Sequence, residues 1–361
     1  MTAGVVAAVS FLLAVSPPEE FSTIARRADE ARAANRLPEA IRLYWQAVRL
    51  RPSWSEGWWD LGAIYYDEDR FGEARDALTR FTGVSSDPAR AFGLLALCEY
   101  ETKDYDRALQ HLQEWAAKRP PASKDLLAVA YFHWALLLTR AGQFERATVL
   151  LNARAKLGSR SPELEEALGL AALRMARLPE DYPPLEREPV WLAGRAAMQL
   201  ALGDVPRAEM DARKLLAHYD NHPNVHYFLG TILLDAHSEP PEKEFERELQ
   251  LSPAHVAAMV QLAACRLRGG APDKALILAR EAIGLDAGNA PAHKVAGDAL
   301  LALNRYPESA GELETARRLA PESAPVRFAL ARVYKALGRP ADAQREREAF
   351  TALSKDEGPA K

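Results

Sequence analysis

The segment WWDLGAIYYDEDRFGEARDALTRF, residues 58–81, carries apolar residues at helical spacing on both sides of a short polar break. Trp58, Leu61 and Tyr65 lie three and four residues apart, so they share one face of a helix. The acidic break over residues 67–69 ends that face, and the apolar spacing resumes after it. The segment therefore predicts a helix, a tight turn and a second helix.

The same pattern recurs along the chain at a period close to 34 residues. Each copy has a small residue in its first helix, and these small positions are Ala28, Gly62, Ala96, Ala135, Gly169, Ala196, Gly230, Ala263, Gly297 and Ala331. Twelve residues later most copies hold another small residue, at Ala40, Ala74, Ala108, Ala147, Ala208, Ala275, Ser309 and Ala343. Small side chains that face each other let two antiparallel helices pack closely, so each copy is predicted to be a helix pair.

A third set of positions, seven residues after the small position, predicts where the first helix ends. These residues are Asn35, Asp69, Gly142, Gly203, Gly270, Asn304 and Gly338. Glycine, asparagine and aspartate best tolerate the left-handed conformation that ends many helices. No segment shows the sustained period-two alternation of a strand. We therefore predict about ten helix-turn-helix repeats, about twenty helices and no sheet.

The repeat resembles the tetratricopeptide repeat, a helix-turn-helix unit of 34 residues. The best single match is formed by Trp58, Leu61, Gly62, Tyr65, Ala74, Leu78 and Phe81. The resemblance covers about residues 21–355 and indicates a family member of the bacterial type. It implies an all-α fold, a right-handed α-solenoid of about ten repeats. The motif residues are packing residues, so the resemblance indicates a scaffold without specifying its partner.

Four segments are predicted from the placement of prolines and apolar residues. Residues 1–17 form an apolar, signal-like or anchor segment, and residues 20–178 form a first block of repeats. A proline-rich interruption follows at 179–189, where a regular helix cannot continue, and a second block covers 190–355. The interruption acts either as a hinge or as a rigid junction between the two blocks.

The N-terminal segment bears on location. The apolar run from Ala3 to Val15 has the length of a signal-peptide core and is too short for a membrane span of about 20 residues. No Lys or Arg precedes the run, and Pro17 would follow a cleavage site at Ser16. We expect export to the periplasm or attachment to the envelope, with cleaved and retained forms both open. The alternative is an N-terminal helix of a cytoplasmic protein.

Composition and motifs argue against catalysis and against nucleic acid binding. The net charge of -4 and the pI near 6.1 give no basic footprint for nucleic acid. The chain has no Walker phosphate loop, dinucleotide glycine fingerprint, HExxH motif or GxSxG motif. We therefore predict no enzyme and no cofactor. The two cysteines, Cys98 and Cys265, are predicted to be buried packing residues.

One arrangement resembles a metal site. His218, His222 and His226 are spaced by four residues, which on one continuous helix would align three imidazoles. A turn between two repeats is predicted around Pro223, and it interrupts that alignment. We therefore expect separate histidines and no metal.

The resemblance also implies that first helices line a concave groove, with the residues three before and four after each small position pointing into it. At these groove positions the chain places six aromatic residues: Trp59, Tyr66, Tyr100, Phe132, Tyr227 and Phe328. Charged residues near them include Arg90, Lys294 and Lys335. Aromatic residues often anchor peptide partners, so the hypothesis is a scaffold that binds a protein or peptide segment.

Two alternatives to this hypothesis stay open. Some of the six rings could serve only to pack neighbouring repeats together. The chain could also be an accessory or regulatory subunit of a separate catalytic chain. In either case, contact with a membrane is expected only through residues 1–17, if they are retained.

Overall fold

The computed structural model describes residues 17–356, which are almost entirely helical. The described chain contains nineteen α-helices, a short 3-10 helix and no strand, so the predicted all-α fold is confirmed. The helices are α1 (Pro17–Ala33), α2 (Leu37–Leu50), α3 (Ser55–Asp67), α4 (Phe71–Val84), α5 (Ala89–Glu101), α6 (Tyr105–Lys118), α7 (Lys124–Arg140), α8 (Phe144–Lys156), α9 (Pro162–Ala172), α10 (Arg187–Ala201), α11 (Val205–Tyr219), α12 (Val225–Ala236), α13 (Glu242–Leu251), α14 (Val256–Arg268), α15 (Pro272–Leu285), α16 (Ala290–Ala302), α17 (Tyr306–Leu319), α18 (Ala324–Ala336) and α19 (Pro340–Asp356), and the 3-10 helix covers Pro184–Glu186.

Tight turns separate the two helices of a repeat at the positions that the sequence predicts. All seven predicted turn residues have a positive φ, between 54° and 80°. In one such turn the N–H of Arg70 donates to the carbonyl of Tyr65 at 2.8 Å. This bond satisfies a carbonyl at the end of α3 and directs the chain into α4. Lys103 and Arg174 adopt the same conformation, with φ of 62° and 51°, without a favourable residue type.

Within a repeat, the small position brings the first helix against the second. A Cβ on Gly62 in α3 would lie 2.6 Å from Leu78 Cγ in α4, closer than packed carbon atoms approach. Gly297 faces Leu313 in the same way, at 2.5 Å. Because these glycines lack a side chain, each leucine fills the space between two helices. One continuous hydrophobic cluster, formed this way, joins α1 through α5.

The ten small positions fall in α1, α3, α5, α7, α9, α10, α12, α14, α16 and α18, which we call first helices, and the other nine are second helices. Only α9 has no second helix in the described chain, because the proline-rich segment follows it. That segment reaches α10 through an irregular stretch and the 3-10 helix. No α-helix runs through residues 179–186, but α10 begins at Arg187, so the last three residues of the interruption predicted at 179–189 are helical. Pro189 is tolerated there because it lies in the first turn of α10, where its missing N–H leaves no helical bond unmade. Since α9 lacks a second helix, the described chain has nineteen α-helices where about twenty were predicted.

The backbones of α9 and α10 approach each other directly. A Cβ on Gly169 would lie 2.0 Å from the carbonyl oxygen of Val190, and a Cβ on Gly194 would lie 2.0 Å from that of Glu165. Since residue 169 faces 190 and residue 165 faces 194, the two helices are antiparallel. α10 also packs against α11. The proline-rich segment therefore connects two helices that are in close contact.

Two compact units divide the described residues, an N-terminal unit that ends at Arg154 and a C-terminal unit that begins at Ala155. The division lies within α8, so the compact units do not coincide with the predicted blocks 20–178 and 190–355. The reason is the direct packing of α9 on α10 across the proline-rich segment.

The predicted signal-like segment, 1–17, lies outside the described residues except for Pro17, which begins α1. Among residues 17–356, none of the helices combines the length and the apolar character that a membrane span requires.

Candidate functional site

Two adjacent tryptophans on α3 illustrate how the first helices divide packing from exposure. Trp58 is buried, and its Nε1–H donates to the carbonyl of Pro52 at 2.9 Å. Trp59 is half-buried, with the Arg90 guanidinium 4.2 Å above its ring and the Phe81 ring 5.6 Å away. Adjacent residues on a helix point about 100° apart, which accounts for the difference. Part of the Trp59 ring stays accessible on the first-helix side of the N-terminal unit.

The neighbouring tyrosines at groove positions are also half-buried. The Tyr66 ring lies 5.7 Å from that of Phe71, and burial raises the pKa of the Tyr66 hydroxyl. Tyr100 lies at the end of α5, where its ring meets those of Tyr105 at 5.5 Å and His133 at 4.6 Å. We call Trp59, Tyr66 and Tyr100 the aromatic surface. Each ring has contacts within the chain and exposes the remainder of its area.

Polar contacts among α1, α2 and α3 lie next to the aromatic surface. Arg32 forms an ion pair with Asp60, and the Tyr44 hydroxyl donates to Asp29 Oδ1 at 2.8 Å. Burial raises the pKa of Asp60, and the Arg32 charge partly offsets this effect. Because Asp29 and Arg32 lie in α1, Tyr44 in α2 and Asp60 in α3, these contacts hold the three helices together.

The remaining three predicted residues have different surroundings. Phe132 in α7 lies 5.0 Å below the Arg154 guanidinium and is half-buried. Tyr227 is only 8% exposed, with the rings of Phe245 and His255 at 6.0 Å and 4.8 Å. This burial makes Tyr227 a packing residue in the described chain, contrary to the surface position predicted for it. Phe328, on α18, is 50% exposed.

An open groove lies on the first helices of the C-terminal unit. Its volume is about 600 Å³, and its lining residues are Leu267, Asp298, Leu301, Ala302, Asn304, Tyr306, Arg332, Lys335 and Ala336. Leu267, Leu301 and Lys335 each lie four residues after a small position, so the positional rule leads to this groove. The choice of aromatic residues alone misses Arg332 and Asn304. We call these lining residues the C-terminal groove.

The three spaced histidines have separate partners and do not converge. His218 Nδ1 lies 2.9 Å from the Lys214 carbonyl, on α11. His222 Nε2 lies 2.6 Å from Glu186, and His226 Nδ1 lies 2.6 Å from Glu244. No group of three potential ligands is arranged for a metal within the described residues.

Both cysteines are buried and form no disulfide in the described chain. Burial raises the pKa of the Cys98 thiol to about 12, so it is neutral and unreactive at physiological pH. It takes part in the hydrophobic cluster of the N-terminal unit. Burial also raises the pKa of the Cys265 thiol.

Three solved structures that resemble the chain each cover less than half of it. MamA 41-end from Desulfovibrio magneticus RS-1 shares 18% sequence identity, with 46% of this chain and 96% of that chain covered and a TM-score of 0.41. A thermophilic tetratricopeptide repeat protein from Thermus thermophilus shares 20%, with 44% and 88% covered and a TM-score of 0.39. YrrB, described as having an unusual peptide-binding site, shares 15%, with 45% and 84% covered and a TM-score of 0.37. No curated protein matches the chain in sequence.

The family model described as Tetratricopeptide repeat matches residues 26–81, 65–123 and 295–353. The first two ranges together extend from α1 past the end of α6, and the third extends from α16 into α19. Both compact units therefore contain matched repeats, and these are helix pairs with the small positions and left-handed turns described above. The chain therefore contains tetratricopeptide repeats at residues 26–123 and 295–353.

Proposed function

We propose that this chain is a non-enzymatic scaffold that holds a segment of a partner protein on the faces of its first helices. The aromatic surface carries the proposal. Trp59 and Tyr66 are two turns apart on one face of α3, and Tyr100 lies on α5, which packs beside α3. Partly exposed aromatic rings of this kind supply much of the binding energy in protein interfaces.

Arg90 adds a polar group at the edge of the aromatic surface. Its guanidinium stacks on the Trp59 ring at 4.2 Å. A stacked guanidinium keeps its N–H donors in the plane of the group, where they can bond a peptide carbonyl or carboxylate. The combination of flat apolar rings and one oriented cation suits a peptide segment better than a small polar metabolite.

A photo-crosslinking experiment in the native cell tests this proposal. A photoreactive phenylalanine analogue replaces Tyr66 on the aromatic surface, and a matched variant carries it at Trp45. Trp45 is 37% exposed on the second helix α2, so it reports contacts of the opposite helix set. Crosslinks to a specific protein from position 66 alone support the scaffold. Equal products from both positions, or products only from position 45, contradict it.

The identity of the crosslinked partner also separates the two functions that the sequence leaves open. A catalytic chain recovered from position 66 favours an accessory or regulatory subunit, whereas a non-catalytic partner favours a scaffold.

The proposed location is the periplasm or the envelope, and it rests on the apolar run from Ala3 to Val15. Residues 1–25 fused to a reporter that is active only outside the cytoplasm provide the test. We expect activity well above that of the unfused reporter. Activity equal to the unfused reporter would instead favour a cytoplasmic scaffold.

A further inference from the structure

The C-terminal groove differs from the aromatic surface because its accessible charge is positive. Arg332 and Lys335 lie about one turn apart on α18, and both are exposed. Neither forms an ion pair within residues 17–356. By contrast, Arg305 and Arg339, at neighbouring turns, each pair with an acidic residue three positions later. The two groove cations are therefore left without an acidic partner where the groove is open.

Other polar groups in the groove do not cancel this charge. Asp298 is the carboxylate in the lining, and it accepts a bond from Lys294 Nζ at 2.8 Å. The Tyr306 hydroxyl donates to Asn304 Oδ1 at 2.7 Å, which leaves the amide N–H groups of Asn304 as donors. The groove thus presents Arg332, Lys335 and Asn304 to an acceptor.

An apolar floor accompanies these donors. Leu267 and Leu301 are partly buried and line the same groove. A volume of about 600 Å³ lies in the range of sites that hold organic groups, well above the space that a single ion needs. Cations beside leucine side chains match a protein segment with carboxylates and apolar side chains.

We propose that the C-terminal groove binds an acidic segment of a partner protein, an inference that rests on the scaffold function proposed above. Carboxylates of the segment pair with Arg332 and Lys335, and its apolar side chains lie over Leu267 and Leu301. Nucleic acid is disfavoured as the occupant, because phosphate backbones are bound by long basic tracts, whereas this chain has a net charge of -4.

Fluorescence anisotropy with the full chain tests the proposal. The probe is a fluorescein-labelled peptide of six Ala-Glu repeats, compared with peptides of six Ala-Gln and six Ala-Lys repeats and with a thymidine oligonucleotide of equal charge. The variant Arg332→Glu/Lys335→Glu reverses both groove cations. Its matched control, Lys274→Glu/Arg318→Glu, makes the same charge change on the second helices α15 and α17.

We expect the Ala-Glu peptide to bind more tightly than the other three probes and to weaken as salt is raised. The groove variant should bind the Ala-Glu peptide about tenfold more weakly. Loss of one exposed ion pair weakens binding by less than about fivefold, but the variant loses two such pairs and adds repulsion between like charges. The control should bind like the unmodified chain. The circular dichroism of both variants should be unchanged, because the reversed residues are exposed.

Three results would overturn the inference: equal binding of the Glu and Lys peptides, an equal loss of affinity in groove variant and control, or tighter binding of the oligonucleotide. If the anisotropy experiment fails while crosslinking from position 66 persists, only the proposal of an acidic segment is refuted. Absence of specific crosslinks from position 66 refutes the proposed scaffold function itself.

Discussion

His293 in α16 and Trp58 in α3 occupy the same position of two distant repeats and contact the backbone in the same way. Each lies four residues before its small position. The Trp58 Nε1–H donates to the Pro52 carbonyl at 2.9 Å, and His293 Nε2 lies 3.1 Å from the Ala287 carbonyl. Both carbonyls are six residues earlier, in the turn before the first helix. Side chains of different chemistry therefore fix the same turn.

Two histidines at this position also reach the second helix. His293 Nδ1 lies 2.7 Å from Glu312 in α17, and His226 Nδ1 lies 2.6 Å from Glu244 in α13. Each histidine thus links the turn, the first helix and the second helix of one repeat. His226 is the better of the two for an experimental test, because its pKa is raised above its ordinary value.

The stability of the C-terminal unit should depend on pH through His226. Burial alone would lower the pKa of this imidazole, but the hydrogen bond and charge of Glu244 and the charge of Asp220 raise it above its ordinary value of 6.5. A raised pKa means that the protonated form stabilises the fold, fully below pH 6.5, with the contribution lost as pH rises through the folded-state pKa. His226→Gln should therefore destabilise more at about pH 5.5 than at about pH 8.5.

Urea unfolding at a series of pH values measures this difference. His218→Gln is the control, because His218 is exposed on α11 and bonds only a backbone carbonyl of its own helix in the described chain. An identical pH dependence for His226→Gln and the unmodified chain would show that the imidazole does not act through its charge.

Glycine-to-alanine substitutions should rank by what the new methyl group meets. Gly169→Ala places a Cβ against the Val190 carbonyl, and a backbone cannot move aside locally, so we expect a loss of about 3 kcal/mol or more. The methyl group of Gly62→Ala meets Leu78 Cγ, an atom of a buried side chain that can shift further than a backbone carbonyl, so the loss should be smaller, about 1 kcal/mol.

Gly311, inside α17, is the control for this series because no atom lies within 4 Å of the place that an added methyl group would occupy. Gly311→Ala should stabilise by about 0.5–1 kcal/mol through helix propensity. Thermal and urea unfolding give the order of the three variants. If Gly62→Ala proves as costly as Gly169→Ala, the distinction between side-chain and backbone contact is wrong.

The two tryptophans of α3 should separate folding from binding. Trp58→Ala removes a buried ring and its hydrogen bond, and we expect a loss of about 3–5 kcal/mol. Trp59→Ala removes a half-buried ring, so the loss of stability should be smaller. The free energy of partner binding should weaken by about 2 kcal/mol or more. Thermal melting and quantitative pull-down of the crosslinked partner measure the two effects. Undiminished capture by Trp59→Ala would place the binding surface elsewhere.

Lys103 offers a stabilising substitution. Its φ of 62° is strained for a side chain that lacks a special preference for this region. Lys103→Gly should relieve the strain and stabilise by up to about 1 kcal/mol, after the greater freedom of glycine in the unfolded chain is subtracted. Lys103→Ala, measured by the same urea unfolding, should give no gain. A gain from both would point to the lost lysine charge instead.

The repeat could be predicted from sequence because close helix packing demands small residues at a fixed interval, as at Gly62 and Gly297. The turns could be predicted as well, because, seven residues after most of the small positions, the first helix ends with a residue in the left-handed conformation. The surface position predicted for Tyr227 is wrong because the rings of Phe245 in α13 and of His255 lie against its ring and bury it. An aromatic residue at a groove position does not reveal which neighbours will cover it.

Only part of the C-terminal groove could be predicted from the sequence. The positional rule includes Lys335, but nothing in the sequence indicates that Arg332 and Lys335 lack carboxylate partners within the described chain. That property depends on which acidic side chains adjacent helices bring within reach, as Asp342 does for Arg339. Pairing of this kind is decided by tertiary contacts and not by spacing along the chain.

The glycine contacts between α9 and α10 affect where the chain can gain or lose whole repeats in evolution. Among the glycines of residues 17–356, Gly62, Gly230 and Gly297 face side chains of the neighbouring helix, and such contacts recur from one helix pair to the next. The α9–α10 contact instead depends on two specific glycines, each fitted against a backbone carbonyl. A duplication or deletion that separates Gly169 from Gly194 destroys both contacts, so we expect repeats to be gained and lost on either side of this pair and not between its members.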